Sequence, residues 1–143
     1  MSDFSNIDTM IPKALHKDLY ETYVSKNKKD LTKRKPFERN LDLWFLGFCI
    51  AVKKGLRPVK ITGQTVKGIL GPVFVKNKQH ELIIKHIMVE REGVEILLDP
   101  AKMHKIANEL STAGLSEIKD YILQDPDELE LDNLLDSIKE LLG

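Results

Sequence analysis

An almost unbroken apolar segment between Asn40 and Gly55 constrains the fold more than any other part of the chain. Asn40 is a favourable residue for a helix start, Asp42 complements the dipole of the first turn, and Gly55 favours a left-handed end. The apolar residues cover almost every direction around such a helix: Leu41, Leu43, Trp44, Phe45, Leu46, Phe48, Cys49, Ile50, Ala51 and Val52. A helix that is apolar on all sides belongs at the centre of a core. The sequence therefore predicts a domain packed around this helix.

Helical patterns flank this central segment on both sides. Before it, residues 12–26 carry apolar side chains at intervals of three and four, and Pro12 suits a first helical turn. After it, cap and periodicity signals predict helices over Lys78–Glu92 (capped by Asn77), from Asp99 to Gly114, over 117–123 (capped by Ser116), and over 126–142.

The predicted fold class is mainly α. A chain of 143 residues fits one domain, so we expect a single compact helical domain of five or six helices over residues 12–143. Residues 1–11 are expected to be a flexible N-terminus, and the glycines of residues 63–71 predict a flexible connection. Two alternatives stay open: residues 78–92 as a strand, and a small two-stranded β element that pairs residues 59–62 with residues 94–98.

The formal net charge of zero conceals two halves of opposite charge. Residues 1–80 contain 16 Lys and Arg against 7 Asp and Glu, whereas residues 81–143 contain 6 against 15. Such asymmetry predicts a basic face for a polyanion or an acidic partner, and an acidic face for basic protein surface.

The basic half is concentrated in an exposed loop over residues 26–39, because like charges repel and the loop has almost no apolar side chain to bury. The cations expected to contact phosphates or an acidic partner are Lys28, Lys29, Lys33, Arg34, Lys35 and Arg39. Without an aromatic platform or a recognition helix, such contact with DNA would be independent of sequence. The alternative is a solvated loop that only keeps the protein soluble.

The acidic half ends in a predicted amphipathic helix over residues 126–142. Its apolar stripe favours packing on the chain's own core, with insertion into a partner's groove as the alternative. Its outer face would contact a protein partner through carboxylates at Asp127, Glu128, Glu130 and Asp132.

No motif identifies a reaction. Gly68 is not followed by the Lys-Ser/Thr pair of a phosphate-binding P-loop. His86 and Glu90 are expected to be an exposed pair on a helix surface, and Cys49 to be a core residue. The sequence therefore predicts no catalytic residue, no metal and no cofactor, although an enzyme with an unrecognised site stays an alternative.

A resemblance to known proteins covers residues 35–55. A Pro-Phe pair precedes an Asp at the start of an apolar helix that contains glycine, and the matching positions are Pro36, Phe37, Asp42, Gly47 and Gly55. This stretch resembles small bacterial proteins associated with DNA phosphorothioation (Dnd-type) defence clusters. The resemblance implies a cytoplasmic accessory protein in defence against foreign DNA, and it carries over no active site.

Together these features predict a non-enzymatic accessory protein of a DNA-processing or defence assembly. Its partners would be DNA, bound without sequence preference, and protein subunits of the assembly. A pure protein adaptor or oligomerisation module is the alternative, and the sequence leaves the oligomeric state open. We expect a cytoplasmic protein without membrane contact, because residues 1–12 lack the pattern of a signal peptide and the longest apolar run, residues 43–52, is far shorter than the roughly 20 residues of a bilayer span.

Overall fold

The computed structural model describes residues 3–24 and 37–122. The elements in chain order are strand β1 (Thr9–Pro12), helix α1 (Lys13–Leu15), a π-helical turn (His16–Tyr20), helix α2 (Glu21–Tyr23), helix α3 (Asn40–Lys54), strand β2 (Thr65–Ile69), a 3-10 helix (Gly71–Lys76), helix α4 (Lys78–Glu92), a second 3-10 helix (Val94–Leu98) and helix α5 (Pro100–Ile122). The predicted fold class is confirmed: the chain is mainly α, with a small two-stranded antiparallel sheet.

Helices α3 and α5 form the centre of the molecule and cross at two glycines. A Cβ atom at Gly47 would lie 2.6 Å from the carbonyl oxygen of Ser111, and one at Gly114 would collide with the backbone of Gly47. The prediction that a helix ends at Gly114 and that Ser116 caps another is therefore wrong. Gly114 permits close packing in the middle of α5, and the Ser116 hydroxyl donates to the carbonyl oxygen of Thr112, 2.8 Å away.

The sheet pairs β1 with β2, which excludes one open alternative and corrects one prediction. Residues 59–62 and 94–98 do not pair as strands: the former are loop and the latter form a 3-10 helix. Residues 63–71, predicted to be a flexible connection, contain β2, in which Val66 lies opposite Ile11. Gly68 makes this pairing possible because a Cβ atom there would collide with the side chain of Ile11.

The N-terminal segment is part of the core, so the prediction of flexibility over residues 1–11 is wrong for the residues described from Asp3 onward. Phe4, Thr9 and Ile11 are almost completely buried. The amide of Phe4 donates to Glu81 Oε1 at 2.9 Å, which ties the segment to α4. The prediction failed because this segment is buried by contacts with residues far away in the sequence, and such contacts leave no periodic pattern in the segment itself.

The helix starts follow the predictions only in part. Asp99 caps α5 by accepting the amide of Lys102 at 3.1 Å, as predicted. At α3 the cap is Arg39, whose amide donates to Asp42 Oδ2 at 3.2 Å, whereas the Asn40 side chain donates to the carbonyl oxygen of Gly68 in β2.

The remaining predicted helices have mixed outcomes. The helix over Lys78–Glu92 is confirmed, and the strand alternative there is wrong. The helix predicted over residues 12–26 is helical over residues 13–23. The predicted acidic helix 126–142 lies outside the described residues. Within the described part of the chain, no helix combines the length and apolarity needed to cross a bilayer.

Candidate interaction surfaces

Arg39 is the one predicted phosphate-binding residue that the structure describes, and its charge is already compensated. Its Nη2 lies 2.7 Å from Asp42 Oδ1 and its Nε lies 3.3 Å from Asp42 Oδ2, so the two side chains form a bidentate ion pair. Nη1 donates to Asn77 Oδ1 at the start of α4. The hydrogen bond to Asp42 raises the pKa of Arg39 further. Arg39 therefore joins the starts of two helices rather than presenting a free cation.

The other predicted site residues lie outside the described residues. These are Lys28, Lys29, Lys33, Arg34 and Lys35 of the basic loop, and Asp127, Glu128, Glu130 and Asp132 of the acidic segment. They stay predictions.

A different group of cations, on the end of α3, on the loop after it and on α5, was missed by the sequence predictions. Lys53, Arg57, Lys60 and Lys105 are exposed, and no ion pair joins any of them to another described residue; we call these four residues the basic strip. Lys54, by contrast, pairs with Glu117 at 3.8 Å. A sequence pattern that could have predicted the basic strip was present, because residues 53–60 contain four cations and no acid.

Local backbone geometry places the loop part of the strip, at Lys60, against α5. Gly55 ends α3 in the left-handed conformation, with φ of 67°, and turns the chain back along the molecule. The amide of Val59 then donates to the carbonyl oxygen of Glu109 at 3.2 Å, which brings the loop onto α5. As a result Lys60 and Lys105, which are 45 positions apart, line one cleft.

The cleft beside the strip is partly apolar. It has a volume of about 300 Å³ and is lined by Met10, Lys60, Ile61, Lys105, Asn108 and Glu109. Met10 and the adjacent Val59 are both exposed. Two cations of the basic strip, Lys60 and Lys105, therefore line one cleft with apolar side chains, and Glu109 is the single carboxylate among the cleft's lining residues.

A second surface lies on α4 and the 3-10 helix that follows it. A groove of about 440 Å³ is lined by Asp3, Leu82, Lys85, His86, Val89 and Leu97. Leu82 is 68% exposed, and Val94 and Leu98 on the same 3-10 helix are 64% and 86% exposed. We call the lining residues together with Val94 and Leu98 the apolar groove. Three exposed large apolar side chains on neighbouring elements are typical of an interaction surface.

Four carboxylates lie in the segment that runs from the end of α4, through the 3-10 helix that borders the groove, to the start of α5. Glu90, Glu92, Glu95 and Asp99 are found within ten residues, against Arg91 alone; we call these four the acidic rim. The carbonyl groups at the end of α4 add partial negative charge at the same place. Glu90 lies 3.4 Å from His86, and both side chains are exposed, as predicted for this pair. Glu92 and Glu95 form no ion pair with any residue in the described ranges.

The buried polar groups are hydrogen-bonded and lie within the core. His104 Nε2 lies 2.8 Å from the Thr9 hydroxyl, and Trp44 Nε1 donates to Asn108 Oδ1 at 2.9 Å. Burial lowers the pKa of His104 to about 4, so its imidazole is neutral near neutral pH. The prediction that Trp44 belongs to the core is confirmed. This network connects the N-terminal segment to α5 and α3.

Cys49 and the acidic side chains of the described residues show no sign of a reactive thiol or of a metal-binding cluster. Cys49 is half-buried against the core, as predicted in part, and burial raises the pKa of its thiol, which disfavours the reactive thiolate. Residues 3–24 and 37–122 contain no cluster of three or more His, Cys, Asp or Glu side chains that could hold a metal ion.

Comparison of the chain with protein-family models, with curated proteins and with solved structures finds no match. The resemblance of residues 35–55 to proteins of DNA phosphorothioation defence therefore stays a prediction. The basic strip and the apolar groove are the two surfaces from which a function can be inferred.

Proposed function

We propose that this chain is a non-enzymatic accessory protein of a DNA-processing or defence assembly, and that it contacts the DNA backbone or an acidic subunit through its basic half. The observation that carries the proposal is the basic strip, whose four exposed cations have no carboxylate partner among the described residues. The six cations of residues 25–36 add to the same half of the chain.

The strip has the chemistry of a backbone contact. Lysine and arginine side chains neutralise phosphates and release counterions, so affinity for duplex DNA falls steeply with salt. Four such contacts give a slope of about −3.6 in the logarithm of affinity against the logarithm of salt concentration, or about 150-fold between 50 and 200 mM salt. No aromatic side chain accompanies the four cations in the strip itself, so base stacking is not part of the proposal.

Fluorescence anisotropy with a labelled duplex of arbitrary sequence tests the proposal at low and moderate salt. We expect affinity to fall by about two orders of magnitude between about 50 and 200 mM salt. Reversing the strip (Arg57→Glu, Lys60→Glu, Lys105→Glu) and reversing the loop (Lys33→Glu, Arg34→Glu, Lys35→Glu) should each weaken binding. The control (Lys17→Glu, Lys78→Glu) reverses exposed cations outside both surfaces and should have a smaller effect. Absence of binding at low salt would exclude the DNA contact and leave the acidic subunit.

The second candidate is a protein adaptor that makes no contact with nucleic acid. The apolar groove favours it, because Leu82, Val94 and Leu98 are exposed without a covering element among the described residues. Under this alternative the basic strip contacts only protein, and the anisotropy of the duplex stays unchanged at every salt concentration.

A further inference from the structure

We propose that the acidic subunit contacted by the basic strip is a second copy of this chain: the strip of one copy docks on the apolar groove and acidic rim of the next, head to tail. The inference rests on the proposed function, because it names the partner of the same basic surface. It also gives a role to the groove, which the DNA contact does not use.

The large apolar side chains of the groove are exposed to the degree expected of a surface that a partner covers. Leu98 is 86% exposed at the junction between the 3-10 helix and α5, although large apolar side chains are usually buried. Leu82 on α4 and Leu97 on the 3-10 helix line the groove and are exposed, and Val94 on the same 3-10 helix is exposed as well. Covering these side chains on association would remove apolar area from water, which is the main driving force for protein contacts.

The charges of the two surfaces are complementary. The groove lies beside four carboxylates, of which Glu92 and Glu95 have no ionic partner in the described part of the chain. The strip offers four cations that are likewise without ionic partners there. Opposite charges that flank an apolar contact accelerate association and fix its register.

The strip also supplies the apolar side chains that the groove requires. Val59 lies between Arg57 and Lys60 in the chain and is exposed, and Met10 and Ile61 line the adjoining cleft. One surface of the molecule therefore combines apolar and cationic groups, and the other combines apolar and acidic groups.

Neither of the two longer segments outside the described residues has this combination. Residues 123–143 are rich in leucine but contain seven acids against one lysine, so they would place like charges against the acidic rim. Residues 25–36 contain six cations, but Leu31 is their only large aliphatic side chain. The occupant with both properties is the basic strip of another copy.

The docking is heterologous, since the groove and the strip share no residue. In a pair, one copy then keeps an unused groove and the other keeps an unused strip. Further copies can therefore add, and the assembly either closes into a ring or grows as an open filament. This property separates the proposal from a symmetric dimer, in which the same patch meets itself.

Light scattering on the full chain after size-exclusion chromatography tests the proposal with two variants. The strip variant carries Arg57→Glu, Lys60→Glu and Lys105→Glu, and the groove variant carries Glu92→Gln, Glu95→Gln and Leu98→Ser, so that the two altered surfaces do not attract each other. We expect the wild-type protein to form oligomers at about 50 mM salt that dissociate near 500 mM, because screening weakens exposed ion pairs. Each variant alone should be monomeric, and an equimolar mixture should give a dimer of twice the chain mass and no larger species.

The mixture also controls for misfolding, because a dimer forms only if each variant keeps its one intact surface. A monomeric wild-type protein at low salt, self-association of either variant alone, or a mixture that stays monomeric would each overturn the inference. Failure of this inference can be distinguished from failure of the DNA contact with the groove variant, whose strip is intact and not occupied by docking. A groove variant that does not bind the duplex refutes the DNA contact, whereas a monomeric wild-type protein that binds the duplex refutes only the self-association.

Discussion

At the scale of single residues, His104 shows how the core accommodates polar side chains. Its ring is surrounded by Phe4, Trp44 and Phe74, with ring centroids between 5.3 and 6.2 Å away. Its polar contact is with the Thr9 hydroxyl. A protonated imidazole would lose solvation in these surroundings, and for this reason the native state favours the neutral form.

Stability should therefore depend on pH through His104. Burial lowers the pKa of His104 from 6.5 to about 4 in the folded chain, so between these values the unfolded state binds a proton that the native state does not. The contribution of His104 to the free energy of unfolding is constant above this window, falls as the pH drops through it, and loses about 3 kcal/mol in total. Urea unfolding followed by Trp44 fluorescence at about pH 7, 5.5 and 4.5 measures the loss.

His104→Gln should be less stable at neutral pH but should lack this part of the pH dependence. Asn6→Ala is the control, because it changes an exposed side chain that carries no titratable group and should leave the profile unchanged. Identical pH profiles for wild type and His104→Gln would contradict the assignment.

At the scale of secondary-structure elements, the crossing of α3 and α5 depends on two glycines. Gly114→Ala should destabilise the protein by about 2 kcal/mol, because its Cβ would collide with the backbone of Gly47, which is part of a packed helix. Ser116→Ala, on the same helix, removes only one hydrogen bond to Thr112 and should cost about 1 kcal/mol or less. Urea denaturation compares the two, and equal small losses would mean that the helices can move apart.

The N-terminal segment gives a second prediction at this scale. Phe4→Ala should cost about 3–5 kcal/mol, because the ring is fully buried and packs edge-on against Phe74 at 5.4 Å. Asn6→Ala, at an exposed position of the same segment, should change stability by about 0.5 kcal/mol or less. Thermal unfolding of both variants checks the difference, and a small effect of Phe4→Ala would indicate that the segment contributes little to the fold.

These elements also show what the sequence can reveal. The central helix α3 and the cap of α5 at Asp99 were predictable, because apolar pattern and cap chemistry are local properties. The role of Gly114 was not, since a glycine that ends a helix and one at a helix crossing look alike until the neighbouring helix is known. Phe4 and Gly68 were misread for the same reason: their partners, Phe74 and Ile11, lie far away in the sequence.

At the scale of the whole molecule, the opposed charge of the two halves belongs largely to two segments. The described residues up to position 80 contain ten cations and six acids, and residues 81–122 contain five and eight. Residues 25–36 and 123–143 supply the larger part of both excesses. The sequence consequently predicts only the positive sign of the charge on the candidate surface. Its position was not predictable, because the strip depends on the hydrogen bond between Val59 and Glu109 that brings Lys60 beside Lys105.

The place where the chain enters the fold has a practical consequence. Asp3 lines the apolar groove and forms an ion pair with Lys85 at 2.6 Å. An affinity tag fused ahead of Met1 would thus emerge two residues from the groove wall and compete sterically with whatever docks there. Immobilisation or fluorescent labelling through a cysteine introduced at the exposed position Lys17, on the π-helical turn, leaves that entrance clear.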